Sequence, residues 1–338
     1  MRPKVLVARA IFSDAIDRLR EHFDVETNEA DDIWSPAELI QRLQGKSGLF
    51  ITGTQPIDRA LLSACPQLRA VCSMAVGYNN VDVPACTAHG VLVSNAPDVL
   101  TETTADFGFA LMMATARRIA ESEHFLRRGE WVKWSYDLFA GADVHGAMLG
   151  VLGMGRIGQA IARRGALGFG MPVLYHNRTR LGVEVEAHLG ARYVSKEQLL
   201  READHLVIVV PYSAASHHLI GATELALMKP TATLTNIARG GIVDDAALAQ
   251  ALRERRIAAA GLDVFEGEPA VHPELLKVPN VVLTPHIASA SLPTRRAMAH
   301  LAVDNLLAAL GVGPHAGHPP TALNPEVLKG GTSRSQPG

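Results

Sequence analysis

The sequence of 338 residues has few cysteines, few aromatic residues and no long apolar run. The three cysteines, Cys65, Cys72 and Cys86, are odd in number and lack C-x-x-C spacing, which argues against a disulfide framework or a cysteine-rich zinc site. No stretch approaches the roughly 18 consecutive apolar residues of a transmembrane helix. The first apolar run meets charge at Arg9 and Asp14, too soon for a signal peptide. We therefore expect a protein of the reducing cytoplasm with no membrane partner.

The sequence also lacks an excess of charge of either sign. Lys and Arg total 32 against 34 Asp and Glu, a formal net charge of −2, so there is no basic field for a nucleic-acid backbone. Apolar residues make up 48% and charged residues 20%, which is typical of globular chains and not of disordered ones. At roughly 150 residues per domain, the length indicates two domains.

Short β-branched runs alternate with longer helical patterns, and this rhythm predicts an α/β fold with two doubly wound parallel-sheet domains. A turn cluster at 95–98 divides the two series, and a long apolar helix is predicted at 101–118. A second long helix is predicted at 291–310. The predicted strands of the two series lie at 4–8, 48–52, 70–73, 91–94, 148–152, 173–175, 205–210, 232–237, 258–262 and 280–283.

A glycine motif, G-x-G-x-x-G, follows the strand at 148–152 and opens the next helix. Gly153 permits a tight turn, Gly155 lets the backbone approach a pyrophosphate, and Gly158 allows the helix to pack closely on the strand. Arg156 and Ile157 lie at the helix N-terminus, where free N–H groups and the helix dipole attract phosphate. Because a strand precedes it and a helix follows it, the motif predicts a dinucleotide-binding site.

The strand that follows this helix ends without the acidic residue that would accept hydrogen bonds from the ribose hydroxyls of NAD. Asn177 stands there instead, followed by Arg178 and Thr179. A neutral side chain does not repel a 2′-phosphate, and the other two offer donors for one. The sequence therefore predicts NADP as the preferred cofactor, with NAD also possible. The alternative is that Arg178 and Arg180 are simply solvated.

Polar residues follow three late strands of the second series: Arg239, Glu268 and His286. Ligands of an open parallel sheet bind beyond the carboxyl ends of its strands, so all three side chains can reach one site. Reduction of a 2-oxo acid needs a cation for the carboxylate and carbonyl, an acid for the developing alkoxide and a carboxylate to orient that acid. Arginine, histidine and glutamate meet these needs in turn.

On these residues the chain resembles the D-isomer-specific 2-hydroxyacid dehydrogenase family, and within it the glyoxylate/hydroxypyruvate reductases that also act on 2-ketogluconate. The resemblance extends from Lys4 to about Asn324. It implies hydride transfer to the substrate C2, with His286 as proton donor, Glu268 holding its imidazole and Arg239 binding the carboxylate and polarising the carbonyl. The segments that carry the resemblance are 73–82, 150–159, 236–244, 260–269 and 285–289.

The resemblance also implies further ligand contacts. It assigns the backbone N–H groups of Ala75, Val76 and Gly77 to the substrate carboxylate, Asp263 to the nicotinamide carboxamide and Thr104 to the cofactor phosphates. The remaining cofactor-binding residues that it implies, beside His286, are Val210, Pro211, Ile237, Ala238 and Ser289.

The family's domain layout implies a Rossmann nucleotide-binding domain at 100–286, inserted into a flavodoxin-like substrate domain made of 1–99 and 287–322. Residues 323–338 are predicted to be a flexible tail, because their composition offers little apolar area to offset ordering entropy. Family members usually dimerise through the segment matching 101–144, so we expect a homodimer. Trp131 and Trp134 are candidate dimer contacts, unless they cover the core of their own domain.

Two alternatives stay open at this stage. One is an NAD-dependent dehydrogenase of the phosphoglycerate or D-lactate type, although residues 52–55 lack the basic side chains that a phosphoglycerate substrate would need. The other is a dinucleotide-sensing, corepressor-like binding protein, because the fold alone does not imply turnover. Neither His176 nor the pair His217 and His218 has partners at metal-ligand spacing in the sequence, so no metal site is predicted.

Overall fold

The computed structural model describes residues 2–329. The chain divides into two compact units, the first made of Met1–Leu100 and Ser291–Gly338 and the second of Thr101–Ala290. The chain thus leaves the first unit and later returns to it, at positions close to the sequence-based boundaries at 99 and 286. Among residues 2–329, no helix is both long and apolar enough to cross a membrane.

The first unit contains a five-stranded parallel sheet in the order β2-β1-β3-β4-β5. This is the flavodoxin-like order, which reverses direction between β1 and β3. Its strands are β1 (Lys4–Val7), β2 (Asp24–Thr27), β3 (Gly48–Ile51), β4 (Ala70–Ser73) and β5 (Leu92–Ser94). The helices between them are α1 (Ser13–Arg20), α2 (Pro36–Leu43), α3 (Arg59–Ala64) and α4 (Val83–Ala88).

The second unit begins with α5 (Thr101–Ala116) and α6 (Ile119–Arg127). The predicted helix over 101–118 stops at Ala116 because Arg118 adopts the left-handed conformation, with φ of 52°, which an α-helix cannot continue. α5 packs closely on the sheet of this unit: a Cβ on Gly108 would lie 2.6 Å from the Ile237 side chain, and one on Gly261 would lie 2.4 Å from Thr115.

A seven-stranded parallel sheet forms the middle of the second unit, in the order β12-β11-β10-β9-β6-β7-β8. Strand order reverses between β6 and β9, as in the Rossmann fold, and ligands bind at such reversals. Its strands are β6 (Leu149–Leu152), β7 (Val173–His176), β8 (Ala191–Tyr193), β9 (His205–Ile208), β10 (Thr233–Asn236), β11 (Ala259–Leu262) and β12 (Val281–Leu283). Its later helices are α7 (Arg156–Arg163), α8 (Val183–Leu189), α9 (Lys196–Glu202), α10 (Ala222–Leu225) and α11 (Asp245–Arg253).

After the second unit the chain forms α12 (Leu292–Ala309) and α13 (Glu326–Lys329). α12 packs on the first sheet, where a Cβ on Gly48 would lie 2.8 Å from Leu306. The two doubly wound parallel sheets confirm the predicted fold class.

The prediction of a flexible tail from residue 323 is wrong at its start. The Leu323 N–H donates to the carbonyl of Val93 (2.8 Å). Asn324 is 1% exposed, accepts from the Val93 N–H (2.7 Å) and donates to the carbonyl of Val91 (2.9 Å). The composition argument counted only apolar area, whereas one buried amide side chain can be held by hydrogen bonds. Residues 326–329 of the predicted tail form α13, and the part from 330 to 338 lies outside the described residues.

Candidate active site

The glycine-rich loop after β6 requires glycine at its three positions for different reasons. Gly153 has φ of 104°, and a Cβ there would lie 2.7 Å from the backbone of Val209. A Cβ on Gly158 would lie 2.1 Å from the Gly153 carbonyl oxygen. Gly155 has ordinary backbone angles and no atom within 4 Å of its Cβ position. Neither packing nor backbone strain explains that glycine, and open space beside a helix N-terminus is what a pyrophosphate needs.

Two further observations in the second unit support a dinucleotide site. The Asn177 side chain accepts a hydrogen bond from the Met154 N–H (2.7 Å), so it fixes the loop from the end of β7. Thr104 on α5 is 5% exposed, and its buried hydroxyl has no partner among residues 2–329. A buried polar group without a partner is uncommon and calls for a ligand or a water. The residues present therefore fit the group that the motif predicts.

The two arginines after β7 differ in their environments. Arg178 is exposed, and among the described residues no acceptor or acidic partner contacts its guanidinium. Arg180 donates two hydrogen bonds to Glu186 (2.9 and 2.7 Å), and the Tyr175 hydroxyl donates a third (2.6 Å). The simple solvation considered for both arginines is thus wrong for Arg180, which is bound to the protein. Arg178 and the exposed Thr179 remain available to an anion.

Arg239 follows β10 on a turn that the Asn236 side chain holds. The Asn236 side chain accepts from the Ala238 N–H (3.0 Å) and donates to the Arg239 carbonyl (3.2 Å). The next residue must be glycine, because a Cβ on Gly240 would lie 1.7 Å from the Phe265 carbonyl oxygen. Burial lowers the pKa of Arg239, and the charge of Glu268 opposes that effect. A half-buried guanidinium that keeps its charge is suited to binding a carboxylate.

Glu268 and His286 form a pair between the loops after β11 and β12. The His286 Nδ1 lies 2.7 Å from a Glu268 carboxylate oxygen, and the other oxygen accepts from the Phe265 N–H (2.9 Å). Burial acts to raise the pKa of Glu268, but the His286 imidazole, the Phe265 N–H and Arg239 outweigh it, so the pKa lies below its ordinary value of 4.5. The carboxylate therefore stays ionised at neutral pH and orients the imidazole. With Nδ1 on the carboxylate, Nε2 is the atom that can exchange a proton.

Asp263 holds the loop that carries His286. Its carboxylate is fully buried and accepts from the Thr284 hydroxyl (2.7 Å) and from the N–H groups of Ile287 (2.8 Å) and Ala288 (2.8 Å). Its carbonyl accepts from the His286 N–H (2.9 Å). These contacts stabilise His286 with φ of 53°, a conformation that costs about 1–3 kcal/mol in a residue other than glycine. Loop support is the observed role of Asp263, and contact with a nicotinamide stays a prediction.

In the first unit, the loop after β4 presents two N–H groups outward. The Ala75 carbonyl accepts from the Ala96 N–H (2.9 Å), and the Val76 carbonyl accepts from the Asn95 side chain (2.8 Å). Because a trans peptide directs its N–H opposite to its carbonyl, the N–H groups of Val76 and Gly77 point the other way, and neither has an acceptor within residues 2–329. The Ala75 N–H donates to the Ser73 hydroxyl (3.1 Å). Two of the three predicted anion donors are therefore free.

The remaining predicted cofactor residues lie at carboxyl ends of strands in the second unit. Ile237 and Ala238 follow β10 and are buried, at 5% and 7% exposure. Val210 and Pro211 follow β9, and Ser289 is half-buried after the His286 loop. Sequence reasoning missed the structural contributions of Asn95, Asn236 and Phe265. Only the asparagines carried a signal, since Asn95 directly follows β5 and Asn236 is the last residue of β10.

Comparisons with known proteins agree with this geometry. Residues 109–288 match the family model of the D-isomer specific 2-hydroxyacid dehydrogenase NAD-binding domain. A glyoxylate reductase from Thermococcus onnurineus is 48% identical over 97% of this chain and 98% of its own length. A solved structure from Thermus thermophilus is 40% identical, with a TM-score of 0.85 over 95% of this chain and 99% of that one. An NADPH-dependent glyoxylate/hydroxypyruvate reductase from Sinorhizobium meliloti, solved with NADP and malonate, is 37% identical, with a TM-score of 0.83 over 96% of this chain and 97% of that one.

Proposed function

Because the chain belongs to the D-isomer-specific 2-hydroxyacid dehydrogenase family, we propose that it reduces glyoxylate and hydroxypyruvate, and also 2-ketogluconate, with NADPH as the preferred cofactor. The protein is an oxidoreductase that reduces 2-oxo acids with a nicotinamide dinucleotide. The observation that carries the finer proposal is the His286–Glu268 pair at 2.7 Å, in the same unit as the glycine-rich loop. That pair supplies the proton that carbonyl reduction needs.

A nicotinamide dinucleotide held by the loop from Gly153 to Gly158 would supply the hydride that the substrate C2 accepts. The electron pair of the C=O π bond moves to the oxygen, and His286 Nε2 donates a proton to that oxygen. One C–H bond and one O–H bond therefore form. Glu268 stabilises the imidazolium before the transfer and keeps Nδ1 engaged. Arg239 stabilises the negative charge that develops on the carbonyl oxygen and binds the carboxylate, as a planar guanidinium can.

We assign the N–H groups of Val76 and Gly77 to the substrate carboxylate as well. This assignment is supported because both N–H groups lack an acceptor among residues 2–329. The carbonyls of the same two peptide groups, those of Ala75 and Val76, accept hydrogen bonds from the protein. Successive backbone N–H groups of this kind bind anions without a charged side chain. The Ala75 N–H needs to leave the Ser73 hydroxyl before it can take part.

The preference for NADP rests on the end of β7. Asn177 brings no negative charge, Arg178 has no partner among the described residues, and Thr179 is exposed. A 2′-phosphate gains charge-assisted hydrogen bonds from such groups, which contribute about 1.5–3 kcal/mol each. Similarity to the Sinorhizobium meliloti reductase, which was solved with NADP, supports the same choice.

The test is a panel of initial rates with purified full-length protein, measured by the loss of NADPH or NADH absorbance. The substrates are glyoxylate, hydroxypyruvate, 2-ketogluconate, pyruvate and 3-phosphohydroxypyruvate. We expect turnover with the first three and a higher kcat/KM with NADPH. Preference for pyruvate or the phosphorylated acid with NADH would assign the protein to the D-lactate or phosphoglycerate type. Tight dinucleotide binding without turnover would favour a corepressor-like binding protein.

We also propose that the protein is a homodimer of the cytoplasm. The segment after α6 leaves large apolar side chains in solvent: Trp131 is 54% exposed, Trp134 76% and Tyr136 87%. The alternative that the tryptophans cover their own core is therefore wrong. Exposed aromatic clusters of this kind mark protein interfaces. Sedimentation equilibrium of the wild type against the W131A/W134A double variant tests the assignment, and a monomeric wild type would refute it.

A further inference from the structure

A second cluster of titratable side chains lies between two loops of the second unit. His217 and His218 are in the loop after β9, and Glu266 is in the loop after β11. One ligand atom from each of the three, which are all exposed, lies within 4.8 Å of the others. The sequence predicted no metal partner for the two histidines, because Glu266 is 48 residues away along the chain. The parallel sheet brings the loops together.

The Nε2 atoms of both imidazoles face the same carboxylate. His218 Nε2 lies 2.8 Å from one oxygen of Glu266, and His217 Nε2 lies 3.9 Å from the other. Two ligands on a tetrahedral Zn²⁺ at 2.0–2.1 Å are about 3.3 Å apart. The two observed distances lie on either side of that value, so small rotations of exposed side chains bring the three ligand atoms to one ion.

Each imidazole also has an oxygen near its other nitrogen. His217 Nδ1 lies 3.2 Å from the Tyr212 hydroxyl, and His218 Nδ1 lies 3.8 Å from the Asp244 carboxylate. Histidines that bind metals almost always direct their second nitrogen to a carboxylate, carbonyl or water, which fixes the tautomer. An Nδ1–H on each ring leaves the Nε2 lone pair available as a ligand. This pattern is more specific than a chance grouping of exposed charges.

The backbone places the rings side by side. His218 has φ of 48°, and the two imidazole centroids are 3.9 Å apart. Gly241 provides room for His217, because a Cβ there would lie 3.3 Å from the His217 ring. The carboxylates of Glu266 and Asp244 lie 2.8 and 3.8 Å from the two ring nitrogens of His218, so the potential at the cluster is negative. A site of this potential attracts a cation.

We propose that His217, His218 and Glu266 form a binding site for a divalent transition-metal ion such as Zn²⁺. Two imidazoles and a carboxylate are ligands that this ion prefers, and three protein ligands leave a fourth position for water. A bound ion joins the loop after β9 to the loop after β11, which carries Glu268 two residues beyond Glu266. The proposal is independent of the assigned substrate and cofactor.

The experiment is a calorimetric titration of the full-length protein with ZnCl₂, followed by the visible spectrum of the Co²⁺ form. The wild type should bind one Zn²⁺ at this site, and Co²⁺ should give the intense absorption of a four-coordinate ion. His218→Ala and Glu266→Gln should abolish this binding. Tyr212→Phe keeps all three ligands and should weaken it about tenfold or more, since outer partners contribute that much.

Two control variants separate this cluster from other histidines. His315→Ala/His318→Ala removes an exposed pair in the first unit, and His286→Gln removes the imidazole paired with Glu268. Both should leave the Zn²⁺ isotherm unchanged. Unchanged binding in His218→Ala and Glu266→Gln, loss of binding in either control, or no binding to the wild type would overturn the proposal.

Discussion

The two sides of the seven-stranded sheet, the β10–β12 end and the β6–β7 end, differ in how their functional groups are held. Beyond β10, β11 and β12, hydrogen bonds hold each functional residue. The Asn236 side chain supports the turn that carries Arg239. The Phe265 N–H donates to the Glu268 carboxylate, and the Asp263 carboxylate holds the loop that carries His286. Beyond β6 and β7, Asn177 is held by the Met154 N–H, but two groups assigned to the cofactor are left open. Gly155 faces open space, and Arg178 contacts no acceptor within residues 2–329.

This difference follows from what each end has to do. A proton donor must already lie in its reactive geometry, because rearrangement during the reaction adds to the barrier. A group that binds a ligand gains most when its hydrogen bonds are not already made within the protein. We therefore expect changes beyond β10–β12 to lower turnover, and changes beyond β7 to alter cofactor affinity.

The largest effect is expected for His286→Gln. Glutamine cannot donate a proton to an alkoxide, and loss of a general acid lowers rates by about 10²–10⁴-fold. Turnover with glyoxylate and NADPH should fall by that factor, while the dissociation constant of NADPH, measured by fluorescence, should stay the same. Near-normal turnover would show that His286 is not the proton donor and would contradict the difference drawn between the two sides of the sheet.

Asp263→Asn should come next, since it disturbs the same loop without changing a reacting atom. The new amide group cannot accept from the N–H of Ile287 or Ala288 that it faces, and a buried unpaired N–H costs about 1–3 kcal/mol. We expect lower stability and about a 10²-fold loss of turnover, the scale of a 1 Å misplacement.

Asp204→Asn is the matched control for that variant. Asp204 directly precedes β9, so it lies at the amino ends of the strands, whereas Asp263 lies at their carboxyl ends. It also accepts from a backbone N–H, that of Met148 (2.9 Å). Its substitution should lower the urea midpoint and spare kcat. If both variants lose stability and neither loses turnover, the hydrogen bonds around Asp263 serve the fold alone.

The sequence allowed prediction of those parts of the fold that depend on local pattern. The buried strands were predicted, but β2 and β8 were missed. Both are edge strands, and their sequences, DVET and ARY, are partly exposed. An edge strand has a partner on one side only, so its apolar pattern is weak. The capping box of Ser35 and Glu38 at the start of α2 is a pattern of this local kind, because both partners lie within one helical turn.

The candidate site divides along the same line. Arg239, Glu268 and His286 could be named because they lie in the loops that follow strands, and the carboxyl ends of parallel strands lie at the same side of the sheet. The contacts that Asp263 makes with residues 284–288, and those between Glu266 and His218, join segments more than 20 residues apart. Such contacts depend on loop conformation, which no local pattern specifies.

At the β7 end, Arg178→Ala should raise the KM for NADPH by about 10–100-fold and leave that for NADH unchanged. The factor corresponds to one charge-assisted hydrogen bond of about 1.5–3 kcal/mol. Arg180→Ala is the matched control, because Glu186 already holds that guanidinium, and it should leave the ratio of the two KM values unchanged. Equal effects of both variants on NADPH would show that the two arginines do not differ as the structure indicates.

The smallest effect concerns Glu186, which holds Arg180 by two hydrogen bonds (2.9 and 2.7 Å). Hydrogen bonds from Arg180 and Tyr175 lower the pKa of Glu186 from 4.5 to about 2, although burial opposes them. A carboxyl whose pKa is lower in the folded state stabilises it above pH 4.5, and that contribution is lost as pH falls toward 2. In Glu186→Gln the side chain has nearly the same shape but does not ionise. The difference in urea midpoint between wild type and variant should therefore be largest at pH 7 and should shrink between pH 4.5 and pH 3. An equal difference at pH 7 and at pH 3 would mean that Arg180 is not held by an ionised partner.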